Sequence, residues 1–301
     1  MTTVRVFAPA KVNLTLHVTG RRADGYHMLD SLVTFADVGD ELFVAPGRGG
    51  LTLTVRGPEA AGVPADSTNL ALRAAAILAG GLGAAVELVK NLPAASGIGG
   101  GSTDAAAALR AMMALQGIGR SALETKAADL GARADDILAL GADVPMCLFP
   151  RPLRARGIGE RVDPAALPTV AAVLANPRLP VSTPEVFRAL DRRDNAPMPE
   201  VLPDFADAHA LADWLGGQRN DLESAAIRVQ PVVATVLAAI GATRSCLVAR
   251  MSGSGATCFG IYDNPDAAAQ AAARIRAERP GWWVAETMLG DQTARAVPVP
   301  A

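Results

Sequence analysis

Apolar and polar positions alternate along the first part of the chain in the way that is typical of β-strands. The strands that this pattern predicts lie at residues 4–18, 29–35, 41–44 and 51–55. Lys11 and Asn13 fall inside the first of them, after an Ala-Pro-Ala interruption. Either this strand lies at an edge with solvated polar groups, or the two polar side chains have a functional role.

From residue 66 onward the spacing of apolar residues becomes that of amphipathic helices, beginning after the capping residues 66–69. The predicted helices lie at 70–78, 103–115, 121–130, 135–140, 184–190, 207–215, 221–227, 230–240 and 265–279. Further strands are predicted at 85–88, 157–162, 170–174 and 282–285, and near the Gly- and Ser-rich stretch at 250–262. Prolines and charges at 191–204 indicate a surface excursion, and we expect the chain after Leu289 to be loosely ordered.

A length of 301 residues suits two domains, and the turn to Pro and Arg around 150–156 predicts their boundary, giving domains 1–155 and 156–301. The net charge is −2 with both signs dispersed, so we expect no nucleic-acid or membrane partner and a small-molecule substrate. Three separated cysteines in apolar contexts indicate buried reduced thiols. The N-terminus lacks a signal-peptide pattern, which predicts a cytoplasmic protein.

Residues 91–109 join a glycine-rich loop to an alanine-rich run that should be helical. Four glycines within 97–101 leave the backbone free to adopt positive φ, and Ser102, Thr103 and Asp104 stand where helix caps are preferred. Free backbone N–H groups and the helix dipole make such a loop an anion site. The loop fits neither the Walker spacing nor the dinucleotide-binding spacing. A tight turn before a capped helix remains the alternative.

Three further stretches carry candidate chemistry. Residues 21–27 form a polar turn with an aromatic ring and an imidazole, and residues 250–262 hold a second glycine-rich loop or only a turn. Asp143 stands alone in the apolar stretch 140–149, and a buried carboxylate is costly without a partner. Asp143 therefore either pairs with a cation or caps a helix in solvent.

Three of these motifs together resemble the GHMP kinases, small-molecule kinases named for galactokinase, homoserine kinase, mevalonate kinase and phosphomevalonate kinase. They are Pro-Ala-Lys-Val-Asn-Leu at 9–14, Gly-Ile-Gly-Gly-Gly-Ser-Thr-Asp-Ala-Ala at 97–106 and Ser-Gly-Ser-Gly-Ala-Thr at 252–257. Ile98 and Thr103 depart mildly from the usual Leu and Ser, and neither change removes a backbone donor.

The resemblance implies an α+β, two-lobed fold with a ribosomal S5 domain 2-like N-terminal lobe, a ferredoxin-like C-terminal lobe and an active site between them. It also implies ATP and Mg²⁺, with no protein ligand of the metal assigned, although Ser102 or Thr103 could assist. The oligomeric state that we expect is a monomer or weak homodimer.

Four more segments, 22–27, 141–145, 183–187 and 219–223, resemble a branch of the family that acts on a cytidylyl-linked sugar alcohol. That resemblance implies transfer of the ATP γ-phosphate to a tertiary 2-hydroxyl of this substrate. The alternatives are a related kinase acting on an untethered small alcohol, of the mevalonate or homoserine type, and a non-catalytic metabolite-binding member of the fold.

The resemblance also implies the site residues. Asp143 would accept the hydroxyl proton or orient the hydroxyl, and Lys11 would pair with it and place positive charge near the phosphoryl group. The residues implied for ATP are Asn69, Pro93, Ala94, Ala95, Ser96, Gly97, Ile98, Gly99, Gly100, Gly101, Ser102 and Thr103. Those implied for the substrate are Asn13, Tyr26, His27, Asp143, Thr183, Phe187 and Gly253, with Tyr26 and Phe187 flanking the cytosine.

Overall fold

The computed structural model describes residues 2–117 and 134–301, so the helix predicted at 121–130 lies outside the described residues. The strands within that part are β1 Val4–Asn13, β2 His17–Arg21, β3 His27–Gly47, β4 Leu51–Arg56, β5 Gly83–Val89, β6 Leu153–Gly157, β7 Arg161–Pro164, β8 Val170–Asn176, β9 Cys246–Met251, β10 Cys258–Tyr262, β11 Trp283–Gly290 and β12 Val299–Pro300. The helices are α1 Leu70–Ala79, α2 Gly100–Leu115, α3 Ala134–Leu140, α4 Val144–Cys147, α5 Thr183–Arg188, α6 Ala208–Gly216, α7 Glu223–Val229, α8 Val232–Gly241 and α9 Pro265–Glu278. This mixture confirms the α+β class.

One sheet runs through the described residues in the order β12-β1-β3-β11-β8-β10-β9. Its organising strand is β3, which is 21 residues long and also pairs with β2, β5 and β6. The sequence predicts two strands here, at 29–35 and 41–44. They are one strand because residues 37–40 stay extended, and Gly39 and Asp40 pair with Pro9 and Ala8 of β1.

The interruption predicted in the first strand is a bulge. Strand β1 continues through Pro9, and its register against β3 shifts between Pro9 and Lys11. Proline cannot donate a ladder hydrogen bond, and bulges commonly re-aim a side chain beside an active site. The shift places Lys11 where its backbone N–H donates to the carbonyl of Ile98 in the glycine loop, at 2.9 Å.

The C-terminal half confirms the ferredoxin-like expectation. Its strands and helices follow in the order β-α-β-β-α-β, and strands β11-β8-β10-β9 pair in that order, all antiparallel. Strand β9 was not predicted, since its residues are only half-buried and lack clear alternation. β11 pairs with β3 through Leu289 and Gly290, which joins this half to the first one in a continuous sheet.

The segment around the predicted domain boundary contains a hairpin of β6 and β7. β6 pairs with β3 on one side and β7 on the other, so the strand predicted at 157–162 is split by a turn. One apolar cluster is built from residues between Val6 and Ala155, while two others mix residues from both halves. The boundary at 155/156 stays a prediction.

Of the two predictions about surface segments, the one for the chain after Leu289 is wrong and the surface excursion at 191–204 is confirmed. The chain beyond Leu289 is ordered, because Gln292 donates to the carbonyl of Pro150 at 2.8 Å and β12 pairs with the start of β1. Residues 191–204 are mostly exposed but tied down: the backbone N–H of Met198 donates to Asp30 at 2.8 Å. In the described residues, no helix is long and apolar enough to cross a bilayer.

Candidate active site

A cavity of about 1100 Å³ gathers residues from all three motifs. Its walls include the predicted residues Lys11, Asn13, Tyr26, His27, Asn69, Pro93, Ala94, Ala95, Ser96, Gly97, Gly99, Gly100, Gly101, Ser102, Asp143, Thr183, Phe187 and Gly253. Ile98 and Thr103 are fully buried and lie behind the wall. Residues that the sequence spreads from position 11 to position 253 therefore share one concave space.

Lys11 and Asp143 face each other in this cavity. Nζ of Lys11 lies 2.6 Å from Oδ2 of Asp143, with the lysine side chain 5% exposed and the aspartate side chain 40% exposed. The carboxylate is thus paired on one side and open to the cavity on the other. Of the two readings of Asp143, pairing with a cation is correct.

The backbone around Asp143 explains this orientation. Asp143 occupies the N-cap position of the short helix α4, yet its side chain makes no capping hydrogen bond and turns to Lys11 instead. Arg110, buried in helix α2, donates to the carbonyl of Cys147 at 2.8 Å and to that of Phe7 at 3.1 Å. Burial lowers the pKa of this arginine to about 10, so it stays charged at neutral pH. Arg110 ties α4 and β1 to the helix that begins at the glycine loop.

The glycine loop opens helix α2 without a side-chain cap. Gly97 and Gly99 have φ of 77° and 67°, whereas Gly100 and Gly101 are already helical. A Cβ on Gly97 would meet the carbonyl oxygens of Ser252 and Gly255, at 2.6 Å and 2.7 Å. The predicted capping role of Ser102, Thr103 and Asp104 is wrong, because the helix begins earlier, at Gly100, with Gly99 as its N-cap. The first N–H groups of α2 are left for a ligand.

A single hydroxyl fastens the three motifs together. Oγ of Ser252 accepts from the backbone N–H of Asn13 at 3.1 Å and donates to the carbonyl of Gly97 at 3.0 Å. Asn220 holds the same loop from behind, donating to the carbonyls of Met251 and Gly253 at 2.8 Å and 2.9 Å. The second glycine-rich stretch is therefore a structural clamp as well as part of the cavity wall.

A buried triad of Asp40, Lys90 and Asp104 lies beneath the glycine loop, and sequence reasoning missed it. Nζ of Lys90 contacts both carboxylates, at 2.8 Å for Asp104. Burial alone would lower the pKa of Lys90, but the Asp104 and Asp40 carboxylates outweigh it and raise that pKa. One ammonium does not neutralise two buried carboxylates, and burial raises the pKa of Asp104 to about 8. The signal in the sequence that could have indicated this triad is Lys90, a lysine directly before the loop segment 91–101.

At the opposite end of the cavity, the rings of His27 and Phe187 stack, with centroids 4.5 Å apart and planes inclined by 22°. Tyr26 stands beside them, 59% exposed. Thr183 and Ser254 share a hydrogen bond of 2.7 Å nearby. Three polar atoms of the cavity-lining residues have no partner among the described residues: Oδ1 of Asn13, Nε2 of His27 and Oδ1 of Asp104. Buried unpartnered polar atoms in a cavity wall indicate contacts completed by a ligand.

Comparison with known proteins gives the family of this chain. Residues 69–151 match the family model for the GHMP kinases N terminal domain, and residues 200–280 match that for the GHMP kinases C terminal. A protein of Roseobacter denitrificans is 52% identical over 296 residues, which cover 98% of this chain and 96% of that protein. The chain belongs to the GHMP kinase family.

Several of the proteins that are similar to this chain over nearly its full length carry the same name. The Roseobacter denitrificans protein is called 4-diphosphocytidyl-2-C-methyl-D-erythritol kinase, as is a protein of Dinoroseobacter shibae that is 54% identical over 94% of both chains. A crystal structure of 4-(cytidine 5'-diphospho)-2C-methyl-D-erythritol kinase is 36% identical, with a TM-score of 0.73 over 95% of this chain and 99% of that one. Homoserine kinase from Cytophaga hutchinsonii, at 20% identity and a TM-score of 0.69 over 99% and 97% of the two chains, shares the GHMP kinase fold. The two-lobed α+β fold is thereby confirmed.

As a GHMP kinase the chain uses ATP, and the cavity has two chemically different ends. The glycine loop and the start of α2 form one end, where backbone N–H groups dominate. The His27–Phe187 stack forms the other, where aromatic faces and cationic side chains dominate. Lys11 and Asp143 line the same space.

Proposed function

We propose that this GHMP kinase phosphorylates the 2-hydroxyl of 4-diphosphocytidyl-2-C-methyl-D-erythritol with ATP, in the non-mevalonate route to isoprenoid precursors. The observation that carries the proposal is that one cavity holds the Lys11–Asp143 pair, a phosphate-binding loop and an aromatic stack. The Roseobacter denitrificans and Dinoroseobacter shibae relatives, which bear this name, are more than half identical over nearly the whole chain.

The triphosphate of ATP would lie against the N-terminus of α2. Gly99 and Gly100 let its phosphates approach the backbone, where N–H groups and the helix dipole stabilise negative charge. Adenosine would lie toward Asn69, whose side chain already caps α1 by accepting from Ala71 N–H at 2.9 Å. Asn69 would then shape that end of the pocket by holding the helix start in place.

The substrate hydroxyl would approach the open side of the Asp143 carboxylate. As the new P–O bond forms, the hydroxyl must lose its proton, and a carboxylate within hydrogen-bond reach accepts or orients it. The Lys11 ammonium keeps positive charge beside that carboxylate and beside the transferring phosphoryl group. The unpartnered Oδ1 of Asn13 would accept a hydrogen bond from another substrate hydroxyl.

Mg²⁺ would enter with ATP, where it offsets the charge of the phosphate oxygens. Ser102 fits as an assisting ligand because its half-buried side chain lines the cavity at the start of α2. Thr103 fits less well, since its hydroxyl already donates to the carbonyl of Gly100 at 3.0 Å. No group of three or more acidic, His or Cys side chains able to hold a metal occurs among the described residues. A hydroxyl such as that of Ser102 suits a Mg²⁺ ion that is bound mainly through the phosphate oxygens of ATP.

Cytosine recognition would use the aromatic end. His27 and Phe187 already stack, and a planar base would extend or reorganise this stack with Tyr26. Burial first, and then the nearby Arg21 and Arg193 charges, lower the pKa of His27. A neutral imidazole has one nitrogen free to accept a hydrogen bond, such as that of the cytosine amino group.

The test is ADP release in a coupled assay with the cytidylyl substrate set against mevalonate and homoserine. We expect turnover with the cytidylyl substrate alone. Turnover only with mevalonate or homoserine would instead support a related small-alcohol kinase, and ligand binding without ADP release would support a non-catalytic member of the fold. A cytoplasmic location and a monomeric or weakly dimeric state stay predictions.

A further inference from the structure

Two arginines that line the cytidine end of the cavity form no ion pair within the described part of the chain. They are Arg21 and Arg193. Their neighbours in sequence are paired: Arg22 lies 2.7 Å from Asp24, and Arg192 lies 3.0 Å from Asp194. Asp24, which itself lines the cavity, and Asp194 are therefore already engaged by arginines that do not line the cavity.

The fold ties both arginines to the backbone beside the His27–Phe187 stack. Arg21 ends β2 directly opposite His27 in the β2–β3 pairing, and its Nε donates to the carbonyl of Gly25 at 3.1 Å. Arg193 comes from the loop after α5 and donates to the carbonyl of Arg188, the residue that follows Phe187, at 3.3 Å. One arginine thus lies on the His27 side of the stack and the other on the Phe187 side.

The charges of both arginines act on His27. After burial, the Arg21 and Arg193 charges are the next causes that lower the pKa of His27. Unpaired cations at a cavity wall raise the local concentration of anions, and the planar guanidinium matches phosphate oxygens in a two-pronged arrangement. Cytosine and ribose carry no charge that would use them.

We propose that Arg21 and Arg193 bind the diphosphate of the cytidylyl substrate and set the preference for a nucleoside diphosphate over a nucleoside. This inference rests on the proposed function, because it needs cytidine at the His27–Phe187 stack. The cavity then has two anion sites of different kinds. Backbone N–H groups of α2 bind the phosphates of ATP, and arginine side chains bind the phosphates of the acceptor.

Calorimetric titration of cytidine, CMP and CDP into the full chain tests the inference. In the parent, affinity should rise from cytidine to CDP. Arg21→Gln and Arg193→Gln should each weaken CDP binding by about fivefold to twentyfold, the range of a part-exposed charge-assisted hydrogen bond, and leave cytidine unchanged. The double variant should bind CDP no more tightly than cytidine, and added salt should weaken CDP binding less in it than in the parent.

Arg192→Gln is the matched control, since it removes an adjacent arginine that is paired with Asp194 and does not line the cavity. Its CDP affinity should stay within about twofold of the parent. Equal CDP affinities in the parent and both cavity variants would overturn the inference. So would a parallel loss of cytidine and CDP binding, because the arginines would then act on the stack rather than on phosphate. A parent that binds neither ligand would overturn the proposed function itself.

Discussion

Nζ of Lys11 lies 2.6 Å from Oδ2 of Asp143, although the two residues are 132 positions apart in the chain. A bulge in β1 places the lysine, and the N-cap position of α4 places the aspartate without using its side chain. The ion pair explains two unusual features of the sequence: a lysine within an apolar strand and an aspartate within an apolar run. Because the aspartate keeps 40% of its side chain exposed toward the cavity, one of its faces stays free for a substrate.

Replacing Asp143 with Asn tests whether the Asp143 carboxylate takes part in phosphoryl transfer. The amide keeps the shape but neither accepts a proton nor carries charge, so we expect turnover to fall at least about a hundredfold, the low end of general-base effects. ATP affinity should change little, since the glycine loop is untouched. Steady-state kinetics with calorimetry of ATP binding measures both. Near-parental turnover would remove Asp143 from the mechanism.

Valine at Gly99 or Gly100 tests the glycine loop as a backbone anion site. At Gly99 the φ of 67° disfavours a β-branched residue, and its Cβ would lie 3.1 Å from the Lys11 side chain. Gly100 is helical, so Val there avoids that strain, but its Cβ would meet Nζ of Lys90 at 3.4 Å and so presses on the buried triad beneath the loop. We expect both variants to lose ATP binding by calorimetry while remaining folded by circular dichroism.

The control for strain is Gly81→Val. Gly81 also has positive φ, 89°, but a Cβ there would meet nothing within 4 Å, and it does not line the cavity. Gly81→Val should bind ATP as the parent does. Parental ATP affinity in both Gly99→Val and Gly100→Val would mean that the loop is only a structural turn.

Much of the site could be predicted because its motifs carry local signals. Glycines before an alanine-rich helix indicate an anion site, and a charged residue in an apolar run indicates a partner. The clamp formed by Ser252 could not be predicted, since its hydroxyl joins Asn13 and Gly97 through backbone groups, which a sequence does not display.

The same limit applies to the fold. Helix bounds were predicted closely because 3.6-residue periodicity is local, as in α9. The single strand β3 was missed because its continuity depends on partners far along the chain, such as β11. Arg193 was placed on a surface excursion, and only the fold brings it to the wall of the cavity.

The variant Asp104→Asn tests the protonation state of the buried triad through the pH dependence of stability. In the folded parent, burial holds the pKa of Asp104 near 8, above its ordinary value, so the folded state binds a proton that the unfolded state releases. Parental stability should therefore fall as pH rises from about 4, the unfolded pKa, to about 8, the folded pKa. The variant lacks this titration, so its unfolding midpoint should exceed the parental one by an increasing margin as pH rises, with the largest difference at pH 9.

Thermal unfolding at several pH values measures this difference. The advantage of Asp104→Asn should shrink toward pH 5, where the parental carboxyl is already protonated. Asp266→Asn is a matched control, because Asp266 lies on the exposed first turn of α9 and should leave the pH profile unchanged. An advantage that is constant with pH would show that Asp104 does not titrate in this range.

Phe187→Ala and Tyr26→Ala test the cytidine end. In the structure one face of Phe187 is covered by His27, while Tyr26 is 59% exposed and free to close over a base. Stacking of one base is worth about 1–3 kcal/mol by alanine substitution, so each variant should use the cytidylyl substrate about tenfold to a hundredfold less well. ATP affinity should stay the same, since adenosine would lie toward Asn69.

Competition by free CDP distinguishes a loss of cytidine binding at the His27–Phe187 stack from a general loss of structure. CDP should compete with the substrate in the parent and compete poorly in both alanine variants. Phe205→Ala is the matched control, because Phe205 is also half-buried but packs edge-on against Trp214, outside the cavity. CDP should compete with the substrate in Phe205→Ala as well as it does in the parent. If CDP fails to compete even with the parent enzyme, the aromatic end does not bind cytidine, and a kinase of small untethered alcohols becomes the better explanation of this cavity.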